Sequence, residues 1–182
     1  MRRHGFAALR ALAFPSSPRP HPMPSTCAEC GATLPESSSC QDYLHELLLL
    51  EAQVAAAPGA EPHFLAVASF NLQHPSAFVP SVLMGLRQTL SDVLAGRATV
   101  DDARRRAQYG TSGPTRVRRR ADTELSNDDR LVLRAWPTTW PITVLDVCRV
   151  PPERYVESVR RWAAAIIDVL DASPTLHGAS DS

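Results

Sequence analysis

Three of the four cysteines in this 182-residue chain, Cys27, Cys30 and Cys40, lie within the 14 positions 27–40. At the chain-wide frequency, a window of that size holds only about 0.3 of a cysteine. No other feature constrains the fold as strongly. The order is Cys27-Ala28-Glu29-Cys30-Gly31, with nine residues separating Cys30 from Cys40. A Cys-x-x-Cys turn brings two thiolates to one point, and a glycine after it takes the left-handed backbone conformation at little steric cost. Cys40 falls at the predicted start of a helix, where the positive end of the dipole favours thiolate over thiol. Three soft ligands in a loop with little else to order it point to a structural zinc ion, which requires a fourth ligand.

Helical geometry selects among the histidines. Tyr43, Leu44, Leu47, Leu48, Leu50, Glu51 and Val54 recur with helical spacing and predict a helix over 41–57, stopped by Pro58-Gly59. Glu61-Pro62 opens a second helix that ends at His74-Pro75. The short connection implies an antiparallel hairpin. His63 and His74 share a face of the second helix but are separated by about 16 Å along its axis, so they cannot bind one ion. Cys40 lies about 26 Å from the connecting turn and His74 about 18 Å, at the same end, whereas His63 sits beside the turn. An offset of about 8 Å can be closed by the loop and an imidazole. The expected site is therefore Cys27, Cys30, Cys40 and His74. His45 points about 140° away from Cys40, and Cys148 is a remote alternative. Inert reduced thiols, or a redox pair at Cys27 and Cys30, compete with zinc; the strand-to-helix context of a thioredoxin-like site is missing.

The rest of the chain reads as helices. Phe78, Val82, Leu83, Leu86, Leu90, Val93 and Leu94 predict a third helix over 77–95, with Gly96 as its stop. Thr99-x-x-Asp102 and Thr143-x-x-Asp146 are capping patterns that open a short helix to Tyr109 and another through Val147. Residues 152–171 carry the cleanest amphipathic pattern, with Tyr155, Val156, Val159, Trp162, Ala163, Ile166, Ile167 and Leu170 on one face. Leu131–Trp136 is apolar enough to dock, and Trp136, Trp140 and Trp162 read as core anchors. The expected fold is mainly α, a small helical bundle with an N-terminal zinc-knuckle-like loop. Residues 26–172 form one domain: a Cys loop over 26–40, a hairpin plus third helix over 41–95, an exposed loop over 110–129 and the C-terminal helix over 152–171. Residues 1–25 read as disordered or as an upstream extension, with Met23 as a candidate start, and 173–182 as a polar tail.

Composition excludes several classes. Nineteen arginines and no lysine balance nineteen acidic residues, which argues against a protein that coats nucleic acid. The longest apolar run, Trp162–Ile167, is far short of the roughly 20 residues that span a membrane. The N-terminal segment makes a poor secretory signal because Arg10 breaks its apolar stretch, so the expected location is cytoplasmic. Neutrality is global and not local: residues 31–96 carry six acids and one base, whereas 97–134 carry ten arginines and six acids. The acidic front and the basic middle are expected to pair with each other. No Gly-rich phosphate loop, Gly-x-Ser-x-Gly elbow or His-Glu-x-x-His motif occurs, and no catalytic residue can be assigned. One alternative is a metal-dependent enzyme with an open site at His63, His74 and Glu51, with Gln73 beside it. Another is a regulatory or nucleic-acid-interacting protein that uses the Arg-rich 104–120 segment.

Cys27-x-x-Cys30-Gly31, Cys40 before a helix, and the run from His63 through Gln73-His74-Pro75 resemble a bacterial family of unknown function, number 5946 in the domain-of-unknown-function series. The likeness covers roughly residues 25–96, and its more specific part is the helix ending Gln-His-Pro. The stretch from Thr143 to Val147 and the Trp162 helix are similar as well. The resemblance implies that Cys27, Cys30, Cys40, His63, Gln73 and His74 occupy motif positions; it implies no activity. Ser69-Phe70 departs from the acidic or aromatic-polar pair expected there, which weakens a catalytic reading more than a structural one.

Overall fold

The computed structural model describes residues 24–35, 37–54, 60–111 and 124–173. The fold is mainly helical. Among the described residues, an antiparallel hairpin of two-residue strands, β1 (Ser25–Thr26) and β2 (Thr33–Leu34), precedes seven helices: α1 (Cys40–Val54), α2 (Ala60–Gln73), α3 (Pro80–Leu94), α4 (Val100–Thr111), α5 (Asn127–Arg134), α6 (Val144–Cys148) and α7 (Tyr155–Asp171). Short 3-10 turns over Pro75–Ala77 and Pro152–Arg154 lead into α3 and α7. No helix among the described residues is long and apolar enough to cross a membrane.

Helix α2 is the centre of the bundle. Leu65, Ala66, Ala68, Ser69, Phe70, Leu72 and Gln73 are all buried, so apolar surface covers most of its circumference and a single partner could not bury it. It is enclosed by α7, α3, α1 and α4. Helix α7 lays Val159, Trp162, Ala163, Ile166 and Leu170 against this centre. The three tryptophans are buried, as their surroundings in the sequence predict.

Three boundaries differ from the periodicity. The third helix begins at Pro80 and not near residue 77, because Pro75 and Pro80 divide the approach into a 3-10 turn and an extended Val79. The C-terminal helix begins with a 3-10 turn before Tyr155. The exposed loop expected over 110–129 is interrupted from Asn127 by α5, whose cap is reciprocal: Asp129 N–H donates to Ser126 Oγ at 3.1 Å, and Ser126 N–H donates to Asp129 Oδ2 at 3.2 Å. The expectations for residues 1–23, the Arg116–Arg120 run and the tail beyond residue 173 lie outside the described residues. Both capping patterns form. Thr99 N–H and Thr143 N–H each donate at 2.8 Å to the carboxylate three residues on, Asp102 and Asp146.

A strap over residues 136–142 closes the C-terminal end of α2. Trp136 Nε1 donates to Leu72 O at 2.8 Å, satisfying a carbonyl that the helix end leaves open, and Gln73 Nε2 donates to Ile142 O at 2.7 Å. The β1–β2 turn packs on this strap. Gly31 has φ +74°, and a Cβ there would lie 3.1 Å from Thr138 O. Gly31→Ala is therefore expected to cost at least about 1–2 kcal/mol for the left-handed backbone alone. Gly85→Ala, in the interior of α3 with open space around the new methyl, is expected to stabilise by about 0.5–1 kcal/mol. Urea denaturation of the two variants checks the opposite signs.

Candidate metal centre

The four residues selected by spacing come from three elements that meet at one end of the hairpin. Cys27 and Cys30 sit in the β1–β2 turn, where Cys27 N–H donates to Ala32 O at 2.9 Å and Gly31 N–H to Cys27 O at 3.0 Å. Glu29, between them, ties the turn to the end of α2: its carboxylate accepts from Ser76 N–H at 3.0 Å and Ser76 Oγ at 2.8 Å. Cys40 is the first residue of α1. Ser39 N–H and Oγ both donate to Asp42 at 2.8 Å, and Asp42 N–H donates back to Ser39 Oγ at 3.2 Å. These bonds fix the helix start and hold the Asp42 carboxyl below its ordinary range.

His74 ends α2. Its backbone leaves the helical region at φ −124° and ψ 68°, as the following proline requires. Its Nδ1–H donates to Phe70 O at 2.8 Å, and its ring stacks on Phe70 with centroids 4.0 Å apart. This pairing fixes the tautomer and leaves the Nε2 lone pair toward the cysteines, 3.8 Å from Cys27 Sγ. Burial holds the imidazole below its ordinary pKa, the main effect on it, and so keeps it neutral.

Cys30 and Cys40 sulfurs are 3.5 Å apart, and all four ligand atoms lie within 4.8 Å of one another. Bond lengths of about 2.3 Å to sulfur and 2.0–2.1 Å to nitrogen in a tetrahedral site put ligand atoms about 3.5–3.8 Å apart. The cluster is compatible with a metal ion of that size. Its electrostatics point the same way. Burial first, then the neighbouring sulfur of Cys27, pushes the Cys30 thiol up to about 11. Burial and the sulfurs of Cys30 and Cys27 push Cys40 higher still. Burial opposes ionisation at Cys27 too, but backbone N–H groups of Cys30 and Glu29 and the adjacent thiols outweigh it and lower its pKa. One thiolate is thus favoured and further ones are penalised by mutual repulsion, which a divalent cation reverses.

The other candidates are placed elsewhere. His45 is exposed and bonds Gln41. Cys148 donates to Tyr43 O at 3.2 Å, and burial raises its thiol to about 11. His63 and His74, grouped in the open-site alternative, are not brought together: His63 Nδ1 is 3.3 Å from Glu51 Oε2, at the opposite end of α2. Gln73 is buried on the 136–142 strap and is not beside His63. Glu51, which sequence alone leaves as a solvated or helix-facing residue, is 5% exposed and accepts from Tyr155 OH at 3.0 Å. Arg104 and Arg105 pair with Asp101 and Asp102 on their own helix. Arg97 and Arg106 meet Asp92, joining the basic middle to the acidic front at that one carboxylate among the described residues. The Glu29–Ser76 tether, the β1–β2 hairpin and the strap were not visible in the sequence. Two-residue strands carry no periodicity, and a Glu inside the knuckle has no signature of its partner.

Comparison with curated proteins and with solved structures returns no match. The model of a family of unknown function, DUF5946, matches residues 25–171 and so takes in the hairpin, the Cys and His cluster and the bundle through α7; the chain belongs to that family.

Proposed function

We propose that Cys27, Cys30, Cys40 and His74 hold a structural zinc ion that staples the N-terminal loop to the α1–α2 hairpin. The observation that carries this reading is the approach of all four ligand atoms to within 4.8 Å of one another. The chemistry of the donors supports zinc: three sulfurs and a neutral imidazole, with the second ring nitrogen committed to Phe70 O, form a closed Cys3His set. Such a set leaves no coordination position for a substrate, so the ion orders the loop and performs no reaction. The protein is then a small helical module whose knuckle, with Glu29 and the 136–142 strap, presents a metal-rigidified surface. Thiols kept for a metal suit a reducing compartment, which favours the cytoplasm.

Metal analysis of the purified full chain tests this. One zinc per chain is expected, with loss in Cys40→Ser and His74→Ala and retention in His63→Ala. Retention of metal by both Cys40→Ser and His74→Ala overturns the assignment. Loss in His63→Ala alone would move the metal to the other end of α2.

A further inference from the structure

Glu51, His63 and Tyr155 form a second polar cluster, about 16 Å along α2 from His74. Glu51 is buried, and a desolvated carboxylate needs donors. It has two on one oxygen, Tyr155 OH at 3.0 Å and His63 Nδ1–H at 3.3 Å. The carboxylate thereby selects the tautomer of His63. Nδ1 carries the proton and the Nε2 lone pair is left free. The imidazole itself is 55% exposed, so it is not there to fill the core.

His63 borders a cavity of about 170 Å³ whose walls include Phe64, Val67, Asn71, Leu86, Val100 and Arg104. A dry cavity of about 150 Å³ accepts a benzene-sized body, whereas cofactor and drug sites run to about 300–1,000 Å³. The volume suits a body the size of a single aromatic ring. The walls are apolar on three helices, with one amide and one guanidinium. Among the described residues Arg104 pairs with exposed Asp101 three residues before it, an interaction worth about 0–1 kcal/mol, so its charge can be transferred to a ligand. The other charges near His63 are already committed: Glu61 pairs with Arg160 of α7, and Glu51 is held as described.

We propose that this cavity binds a small organic carboxylate with an apolar body. The body lies against Phe64, Val67, Leu86 and Val100, the carboxylate engages Arg104 and Asn71, and His63 Nε2 accepts a hydrogen bond from a hydroxyl or N–H group of the ligand. The site is independent of the metal centre.

The test uses the full chain, with benzoate as the probe and benzyl alcohol as its uncharged analogue. Nitrogen-15 NMR of the unliganded protein is expected to find His63 protonated at Nδ1 and not at Nε2 when the ring is neutral. Benzoate is expected to shift the His63 and Val100 signals saturably. Benzyl alcohol and the Arg104→Gln variant are each expected to weaken binding by about tenfold, the loss of one charge-assisted contact. Arg104 is on the surface, so this variant does not depend on the buried acid for folding. An Nε2-protonated ring, no saturable shift with benzoate, or equal binding of benzyl alcohol overturns the proposal. So does equal binding by Arg104→Gln.

Discussion

Stripping the metal from the purified protein with a chelator is expected to lower its thermal midpoint by on the order of 10 °C. A ligand bound only by the native state contributes about 4 kcal/mol when free ion exceeds Kd a thousandfold, and each kcal/mol moves the midpoint of a domain this size by about 2–4 °C. Cys40→Ser and His74→Ala are expected to resemble the stripped protein and to gain nothing from added zinc. The pH dependence separates the two forms. In the stripped protein, Cys30 and Cys40 have native pKa values above the ordinary 9.0. Their contribution to stability is complete below pH 9 and is lost as pH rises, for Cys30 through about 11 and for Cys40 higher still, because the unfolded thiols release protons first. Cys148 and Tyr155, also raised, add to that loss, while Cys27, lowered, opposes it. In the loaded protein the ligands are already deprotonated, so stability climbs toward pH 9 as protons no longer compete with the ion. Below the ordinary 6.5 of histidine both forms weaken, because His74 is held neutral in the native state and gives up its contribution as pH falls. Differential scanning calorimetry of loaded and stripped protein across this range measures both slopes. A stripped protein as stable as the loaded one, with parallel slopes above pH 9, would show that the ion orders nothing.

The grouping of three cysteines with His74 was legible from spacing because these residues sit at positions that helix geometry fixes. Cys40 begins α1 and His74 ends α2, so the axial rise of two antiparallel helices places them together without tertiary information. The helical class and the burial of Trp162 followed from periodicity in the same way. What could not be read is what crosses between distant segments. Tyr155 and Glu51 are 104 residues apart and Glu29 and Ser76 are 47 apart; no local pattern pairs them. Capping boxes fared better because both partners lie within four residues. Ser126 and Asp129 escaped notice only because the surrounding composition reads as loop. Helix starts near proline were misplaced for a definite reason: Pro75 and Pro80 each fit a helical first turn, and only the extended backbone at Val79 decides between them.

Trp162→Ala is expected to cost about 3–5 kcal/mol, the range for removing a large aromatic side chain from a packed core. Trp162 is fully buried on α7, the helix that packs on both α2 and α3, so the vacated volume opens among three helices that hold one another in place. Its Nε1 has no protein acceptor among the described residues. The indole therefore contributes volume and apolar contact, not a directional bond. Trp162→Phe keeps most of that contact and removes a buried donor whose desolvation costs about 1–3 kcal/mol. Its expected loss is accordingly small, under about 1.5 kcal/mol, as for hydrophobic swaps that preserve most of the volume. Trp136 is the contrasting case, because its Nε1 bonds Leu72 O at the end of α2. Trp136→Phe leaves that buried carbonyl without its donor and is expected to cost about 1–3 kcal/mol beyond the change in volume. Urea denaturation of the three variants at neutral pH, with zinc present throughout, ranks them Trp162→Phe, Trp136→Phe and Trp162→Ala in order of increasing loss. If Trp162→Phe proves as damaging as Trp162→Ala, the indole nitrogen carries a bond at the centre of the bundle and the packing account of α7 fails. If Trp136→Phe is harmless, the strap over residues 136–142 does not depend on the bond to Leu72.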